Sequence, residues 1–178
     1  MKYVKKCLRL ILELKERGTV LDLGAGKGKL SKFFYEKGFN VTAIDKSRKI
    51  VDALKKKFKN KIKIKREELE KIKLREKYDI IIVKNVLHLI RDRKTAEKLI
   101  NKIKKYTKED GINFIVGLTT RDPFYNKKKF FIKKNKIKKL YKNWKCLFSK
   151  TFFTNLEKHD KLPFHKHNVF IGLFQKRK

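Results

Sequence analysis

The sequence predicts an α/β fold in which helices cover both faces of a doubly wound, mostly parallel sheet. Three observations lead to this prediction. Short apolar runs alternate with longer segments whose apolar residues recur at helical spacing. A glycine-rich turn joins the first apolar run to a helical segment, and the second apolar run ends on the carboxylate of Asp45. Strands and helices in such alternation are joined by right-handed crossovers, which place the strands parallel in one sheet.

The first two strands and the helices beside them are marked by apolar spacing and by glycine breakers. The chain opens with an amphipathic helix that is predicted to end at Gly18. A strand at 20–23 follows, then a helix predicted to end at Gly38, and a second strand at 40–45. The apolar residues that define the two helices are Val4, Leu8, Ile11, Leu12 and Leu14 in the first, and Leu30, Phe33 and Phe34 in the second.

The middle of the chain continues the alternation. Ser47 is predicted to cap the next helix, because a serine side chain accepts hydrogen bonds from the free N–H groups of the first turn. Ile62 and Ile64 alternate with lysines, which suits an edge strand whose charges deter pairing with other chains. A loop and a short helix are expected to contain the glutamates at 67–68. The run Tyr-Asp-Ile-Ile-Ile-Val at 78–83 is typical of a buried central parallel strand.

The last part of the chain is strongly basic. A helix is predicted from the apolar positions Ala96, Leu99, Ile100, Ile103 and Tyr106, after which Gly111 is expected to turn the chain into a strand at 112–118. A loop follows at 119–123. A lysine-rich helical stretch is predicted through about Tyr141, with apolar residues facing the sheet and lysines facing solvent. No internal repeat and no long linker interrupts the chain, so one domain is predicted over residues 1–178.

Composition limits the class of protein and its partners. The chain has 178 residues, 40% of them hydrophobic, which predicts a folded core rather than disorder. Its net charge is +34, from 52 Lys and Arg against 18 Asp and Glu. Such an excess favours a polyanionic partner or a salt-rich cytoplasm. The abundance of Lys, Ile, Asn and Phe is also typical of AT-rich coding sequence, so both explanations stay open.

Cysteine usage and hydropathy predict a cytoplasmic protein with no membrane partner. Cys7 and Cys146 lie far apart and show no metal-binding or redox spacing, which indicates a reducing compartment. No segment approaches the ~20 apolar residues of a membrane span. Arg9 and Glu13 interrupt the apolar run at the N-terminus, so it is not a signal peptide. The oligomeric state stays open.

The glycine turn and the carboxylate after the second strand predict a nucleoside pocket. Glycines let the backbone approach a ligand, and a carboxylate at the next strand end can accept hydrogen bonds from a ribose diol. The turn has the spacing G-x-G-x-G, whereas a dinucleotide fingerprint has G-x-G-x-x-G, and Lys29 stands where its third glycine would fall. Asp22, just before the turn, would repel a pyrophosphate but suits a ligand that carries an ammonium and a sulfonium.

These residues resemble the motifs of class I S-adenosylmethionine-dependent methyltransferases, and the resemblance covers nearly the whole chain. Gly24, Gly26 and Gly28 match the glycine motif of that family, Asp22 its leading acid, and Asp45 its ribose-binding acid. The resemblance implies S-adenosyl-L-methionine as cofactor. It also implies a Rossmann-like, seven-stranded sheet with strand order 3-2-1-4-5-7-6, whose last two strands form an antiparallel hairpin near 146–153 and 169–174.

The same resemblance extends the predicted cofactor site. Ala25 in the turn and Lys46 beside the ribose acid are included in it. Glu68 best fits the position after the third strand that accepts from the adenine amino group, although an exposed acid is an equally good interpretation. The segment after the fourth strand borders the transferred methyl group in that family. Asn85 is therefore predicted at the cofactor and His88 at the reaction centre, where His88 is the first choice for a catalytic base.

Three of the four histidines lie together near the C-terminus. His159 is the second choice for a catalytic base. His165 and His167, two residues apart, would share one face of an extended chain and could contact an anionic substrate together with Arg121. A metal site completed by His159 or by Glu157 is a second possibility, and a solvated polar loop is a third. No metal ion is included in the prediction.

The C-terminal third refines the resemblance and leaves three functions open. Trp144, a histidine-containing loop and a final apolar strand look like the tellurite-resistance type of small methyltransferase, which handles soft, often anionic chalcogen compounds. Methylation of a small acceptor by in-line displacement is therefore the leading prediction. An RNA methyltransferase is the alternative favoured by the charge. A cofactor-binding subunit without activity is a further alternative.

Overall fold

The computed structural model describes residues 2–157 and 164–177 and contains one seven-stranded sheet with the order β3-β2-β1-β4-β5-β7-β6. This order confirms the predicted α/β, Rossmann-like fold. The strands are β1 Thr19–Leu23, β2 Asn40–Asp45, β3 Lys63–Arg66, β4 Tyr78–Lys84, β5 Thr107–Leu118, β6 Trp144–Phe153 and β7 Asn168–Lys176. The helices are α1 Lys2–Leu14, α2 Lys29–Glu36, α3 Arg48–Phe58, α4 Arg93–Lys105 and α5 Lys134–Leu140, with a 3-10 helix at Leu87–Leu89.

One strand, β7, runs against the direction of the other six. The first five strands pair in parallel, whereas β7 pairs antiparallel with both β5 and β6. The predicted C-terminal hairpin is thereby confirmed. Because the first five strands are parallel, their carboxyl ends meet at one edge of the sheet, close to Leu23, Asp45, Lys84 and Leu118. In doubly wound sheets a ligand binds at this edge, where the crossovers from β1 leave in opposite directions.

Two apolar layers enclose the sheet. Side chains of α1, α2 and α3 pack on one face, where Ile11, Phe34 and Leu54 are among the buried residues. Side chains of α4 and α5 pack on the other face, where Ile100 and Ile137 are buried. Helices on both faces were predicted, and the central strands read as continuous apolar runs because both of their faces are covered.

Two local predictions are also confirmed. β3 is an edge strand, bonded only to β2, and its lysines stand beside the unpaired edge. Ser47 is the N-cap of α3, and its hydroxyl accepts a hydrogen bond of 3.4 Å from the backbone N–H of Ile50. Among the described residues, no helix has the length and the apolar character that crossing a membrane requires.

The predicted basic helix is mostly wrong, because only Lys134–Leu140 is helical. Residues before it are extended: Ile132 forms a bridge with Thr119, and its N–H donates to the carbonyl of Leu118 at 2.8 Å. Phe130 and Ile132 are buried on one face of the sheet and Phe131 on the other. Three consecutive apolar residues can bury all their side chains in this way only with the alternating directions of an extended chain.

Two smaller predictions are also wrong. Gly111 does not begin β5 but lies inside it, because the strand starts at Thr107 and bulges before its regular pairing resumes at Ile112. A Cβ at Gly111 would stand 2.7 Å from the carbonyl oxygen of Lys108, so the bulge requires glycine. The glutamates at 67–68 precede a turn rather than a helix.

Candidate functional site

The glycine turn between β1 and α2 is held by the end of β2. The N–H groups of Gly24 and Ala25 both donate to the carbonyl of Ile44, at 2.8 and 3.0 Å. Gly24 has φ of +71°, and a Cβ there would stand 2.1 Å from Cγ1 of Val86. Gly26 has φ of +53°, but a Cβ there would meet nothing within 4 Å. The turn therefore needs its first glycine for packing, and it keeps open space above Gly26 for a ligand.

Asp22 and Gly28 support the turn from below. Asp22 is 3% exposed, and Oγ of Ser31 on α2 donates to its Oδ2 at 2.6 Å. Burial raises the pKa of Asp22 to about 6, although the hydrogen bonds from Ser31 oppose the shift. Gly28 caps α2 with φ of +66°, and a Cβ there would meet Leu54 at 2.5 Å. Both residues shape the site without offering an open ligand surface, and Asp22 also supplies charge.

Asp45 stands at the open edge with its orientation fixed. One carboxylate oxygen accepts from the N–H of Gly26 at 3.1 Å, and the other accepts from the N–H of Ser47 at 3.0 Å. Each oxygen keeps a second lone pair, so the carboxylate can still accept from a ligand's hydroxyl groups. The turn and the acid are thus one hydrogen-bonded unit, as the predicted ribose site requires.

Asp45 borders a cavity of about 210 Å³ that brings together four of the predicted cofactor residues. Glu68 lies at its rim and forms an exposed ion pair with Lys71 at 3.1 Å. The apolar residues that line the cavity were not predicted from the sequence, because Val86 and Ile90 belong to no motif that marks them as ligand contacts. The lining residues are Gly24, Asp45, Lys46, Glu68, Leu69, Glu70, Val86, Leu89 and Ile90.

Asn85 lines a second cavity but not the first one, which its neighbour Val86 lines. Asn85 has φ of +57°, and its N–H donates to the carbonyl of Val116 at 2.8 Å, which turns the chain sharply after β4. The second cavity has about 640 Å³ and collects residues from five separate segments. They are Lys2, Tyr3, Val4, Lys84, Asn85, His88, Val116, Leu118, Phe152, Phe153, Thr154, Asn155, Glu157, His167 and Val169.

His88, predicted as the first choice for a catalytic base, lines the second cavity. Among the described residues, its Nδ1 has no hydrogen-bond partner although it is buried. Burial lowers the pKa of His88; Asp122 opposes this shift and His167 adds to it. The imidazole is therefore neutral at physiological pH.

Lys84 is the half-buried cation of the second cavity, which the exposed Lys2 also lines, and the sequence did not single out Lys84. Burial lowers the pKa of its amine, while the charges of Asp22 and Glu157 act in the opposite direction. Arg121, the predicted cation, is exposed in the loop after β5 and does not line the cavity. Lys84 follows a buried strand and could have been noticed as the one charge at its end.

The C-terminal histidines are partly brought together. Nε2 of His165 and Nε2 of His167 lie 3.3 Å apart, and His167 lines the second cavity. The backbone of His165 pairs with that of Glu157 through two hydrogen bonds of 2.8 and 3.0 Å. No group of three possible metal ligands converges within residues 2–157 and 164–177. His159, the second predicted base, lies outside the described residues.

The sequence matches one protein family over most of its length. The family model described as "Tellurite resistance protein TehB" matches residues 7–165. Two curated Haemophilus influenzae proteins, each called "Probable S-adenosyl-L-methionine-dependent methyltransferase TehB", are 29% and 28% identical over 137 residues. Each match covers 72% of this chain and 46% of the relative. The chain thus spans about half the length of these relatives.

Solved structures confirm the fold. The crystal structure of TehB from Haemophilus influenzae has a TM-score of 0.85 at 23% identity, covering 97% of this chain and 62% of that one. The N-methyltransferase NodS from Bradyrhizobium japonicum, in complex with S-adenosyl-l-homocysteine, has a TM-score of 0.77 at 16% identity. That match covers 99% of this chain and 87% of NodS.

Proposed function

The chain belongs to the TehB family, and on that premise we propose that it is an S-adenosylmethionine-dependent methyltransferase with a small, soft or anionic acceptor. One observation carries the proposal. The glycine turn and Asp45 border a cavity that Val86 also lines, and the neighbouring Asn85 lines a second, larger cavity, so a cofactor and an acceptor have separate spaces at one sheet edge.

The first cavity fits the adenosine part of the cofactor. Asp45 would accept from the ribose hydroxyls, while Val86, Leu89 and Ile90 offer apolar contacts for the base. Glu68 stands at the rim, where it could accept from an exocyclic amine. The ionised form of Asp22 favours the cofactor's positive charges from below the turn. When bound, S-adenosylmethionine supplies an activated methyl group.

The second cavity fits a small acceptor better than a large one. Its walls are mainly apolar, so they exclude water from the acceptor and hold it in position. Lys84 provides a partly buried positive charge, which would attract an anion. His88 and His167 provide imidazole groups that can exchange hydrogen bonds with an acceptor.

The test is formation of S-adenosylhomocysteine in the presence of a panel of acceptors. Tellurite, selenite, a small thiol and bulk RNA are each mixed with the protein and S-adenosylmethionine. Turnover with one of the three small acceptors and none with RNA supports the proposal. Cofactor binding without turnover on any acceptor would contradict it and would favour a cofactor-binding subunit without activity.

RNA methylation is the second candidate, because one further cavity is strongly basic. This cavity has about 480 Å³ and lies beside the edge strand β3. Half of its lining residues are cations, namely Lys63, Lys65, Lys71, Lys73 and Arg75. RNA affinity that falls steeply and linearly with the logarithm of salt concentration would support phosphate contacts here. Absence of binding at physiological salt would exclude this candidate.

A further inference from the structure

Asp122, which no motif marked, anchors one wall of the second cavity. Its side chain is fully buried, and its Oδ2 lies 3.0 Å from Nδ1 of His167 and accepts from the N–H of Asn168 at 2.9 Å. Oδ1 accepts from the N–H of Phe124 at 3.0 Å. Two backbone N–H groups thus donate to the two carboxylate oxygens, and a carboxylate can only accept from the imidazole that faces it.

These contacts fix which ring nitrogen of His167 carries the hydrogen. A carboxylate facing Nδ1 requires a hydrogen there, so the lone pair of neutral His167 lies on Nε2. Nε2 of His165, 3.3 Å away, must then donate its own hydrogen into that contact. His167 thus presents a proton acceptor that is oriented from behind by a buried carboxylate.

His88, the base predicted first, has no such support. Its Nδ1 lacks a hydrogen-bond partner among the described residues, so no hydrogen bond at that nitrogen selects a tautomer. His167 has both a partner and a second imidazole beside it. A general base must have its accepting nitrogen oriented toward the proton that it removes, so the geometry of His167 fits the role better.

We propose that His167 is the general base of the methyl transfer and that Asp122 is its positioning residue. This inference rests on the proposed function. In the resting protein the N–H of His165 occupies Nε2 of His167, and the X–H bond of an acceptor takes its place.

The proton balance of the step is simple. The acceptor atom X forms its bond to the methyl carbon, and the pair of the carbon–sulfur bond stays on sulfur. The proton leaves X for Nε2 of His167. The imidazolium so formed keeps its Nδ1 hydrogen on Asp122, whose charge stabilises it.

This role narrows the class of acceptor. A base is needed only where the attacking atom arrives with a proton, as in a thiol, a selenol, a hydroxyl or a protonated oxyanion. A fully ionised acceptor would need only Lys84 to hold it. The inference therefore points to a weakly acidic X–H acceptor.

Nitrogen NMR of the histidine rings tests the positioning role without any acceptor. In wild-type protein bound to S-adenosylhomocysteine, His167 is expected to carry hydrogen on Nδ1 and none on Nε2. Asp122→Asn can donate to Nδ1 and is expected to move hydrogen to Nε2 in a measurable share of molecules. The control is Thr119→Val, which removes the buried hydrogen bond between Thr119 and Asn168 but keeps the contact between Asp122 and His167. The assignment would be overturned if His167 in the wild-type protein carried its hydrogen on Nε2, or if Asp122→Asn left the position of that hydrogen unchanged.

Turnover of 2-mercaptoethanol tests the base itself. His167→Gln is expected to lower kcat by about 100-fold at neutral pH, where the thiol is protonated, with little change in S-adenosylhomocysteine affinity. The loss should shrink as pH rises, because a thiolate needs no base. An equal loss at every pH, or no loss, would contradict the role. No turnover by the wild-type protein would contradict the proposed function on this acceptor, and the NMR result would still decide on Asp122.

Discussion

The two halves of the sheet edge are built in different ways. In the half that would hold the cofactor, the turn and the acid come from one stretch of chain, in which β1, the glycine turn and the end of β2 hydrogen-bond to one another, while residues from 68–70 and 86–90 complete the walls. The half that would hold the acceptor is assembled from five separate segments, from α1 to β7. A site set by local backbone conformation leaves a motif, whereas a site assembled from distant side chains leaves none.

The largest effect is expected from a substitution in the glycine turn of the cofactor half. Gly24→Ala is expected to lower the free energy of unfolding by about 2–4 kcal/mol and to abolish cofactor binding, because φ is positive and Val86 blocks the methyl group. Gly38→Ala is the control, since φ there is +81° but nothing lies within 4 Å of the methyl group. It should cost only about 1 kcal/mol. Urea unfolding of both variants decides, and equal losses would contradict a packing role for Gly24.

A second prediction concerns the acid beneath the turn. Asp22→Asn is expected to raise the free energy of unfolding of the ligand-free protein at pH 7 by about 1–3 kcal/mol, because ionised Asp22 is buried at a cost. The same variant should bind S-adenosylmethionine more weakly, since the cofactor loses an attractive charge. Stability would thus rise as function falls.

The raised pKa of Asp22 also predicts how the free energy of unfolding changes with pH. Folding raises the pKa of Asp22 from 3.8 to about 6, so the folded protein binds more protons between those values. The contribution of Asp22 to stability therefore rises as pH falls through 6 and levels off below 4. Urea titrations at pH 4 and pH 7 should show this change in wild type relative to Asp22→Asn. Parallel pH profiles of the two proteins would contradict it.

The smallest expected effect lies in the acceptor half. His88→Phe replaces a buried nitrogen that has no partner among the described residues with an apolar ring edge. The free energy of unfolding should rise by about 1 kcal/mol, because an unsatisfied polar atom is removed. Thermal unfolding of the two proteins measures the change. A marked destabilisation would show that Nδ1 has a partner that the fold requires.

Sequence and structure agree where local rules decide. The spacing of the glycines, the strand that ends at Asp45 and the cap at Ser47 follow from backbone requirements, so they could be predicted. The basic segment before α5 was misread as a helix because its apolar residues also fit an extended chain that is buried on both sides. Asp122 could not be found at all, since His167 and Asn168, which it contacts in the cavity wall, are 45 and 46 residues away in sequence.

Calorimetry with S-adenosylhomocysteine tests the central claim most directly, because it probes the turn and the acid as one cofactor site. Wild-type protein is expected to bind one equivalent, and Asp45→Asn to bind about 1–3 kcal/mol more weakly, the scale of hydrogen bonds to a charged group. Asp52→Asn, an exposed acid on α3, is the control and should bind as wild type does. Unchanged affinity in Asp45→Asn, or no binding by the wild-type protein, would contradict the account.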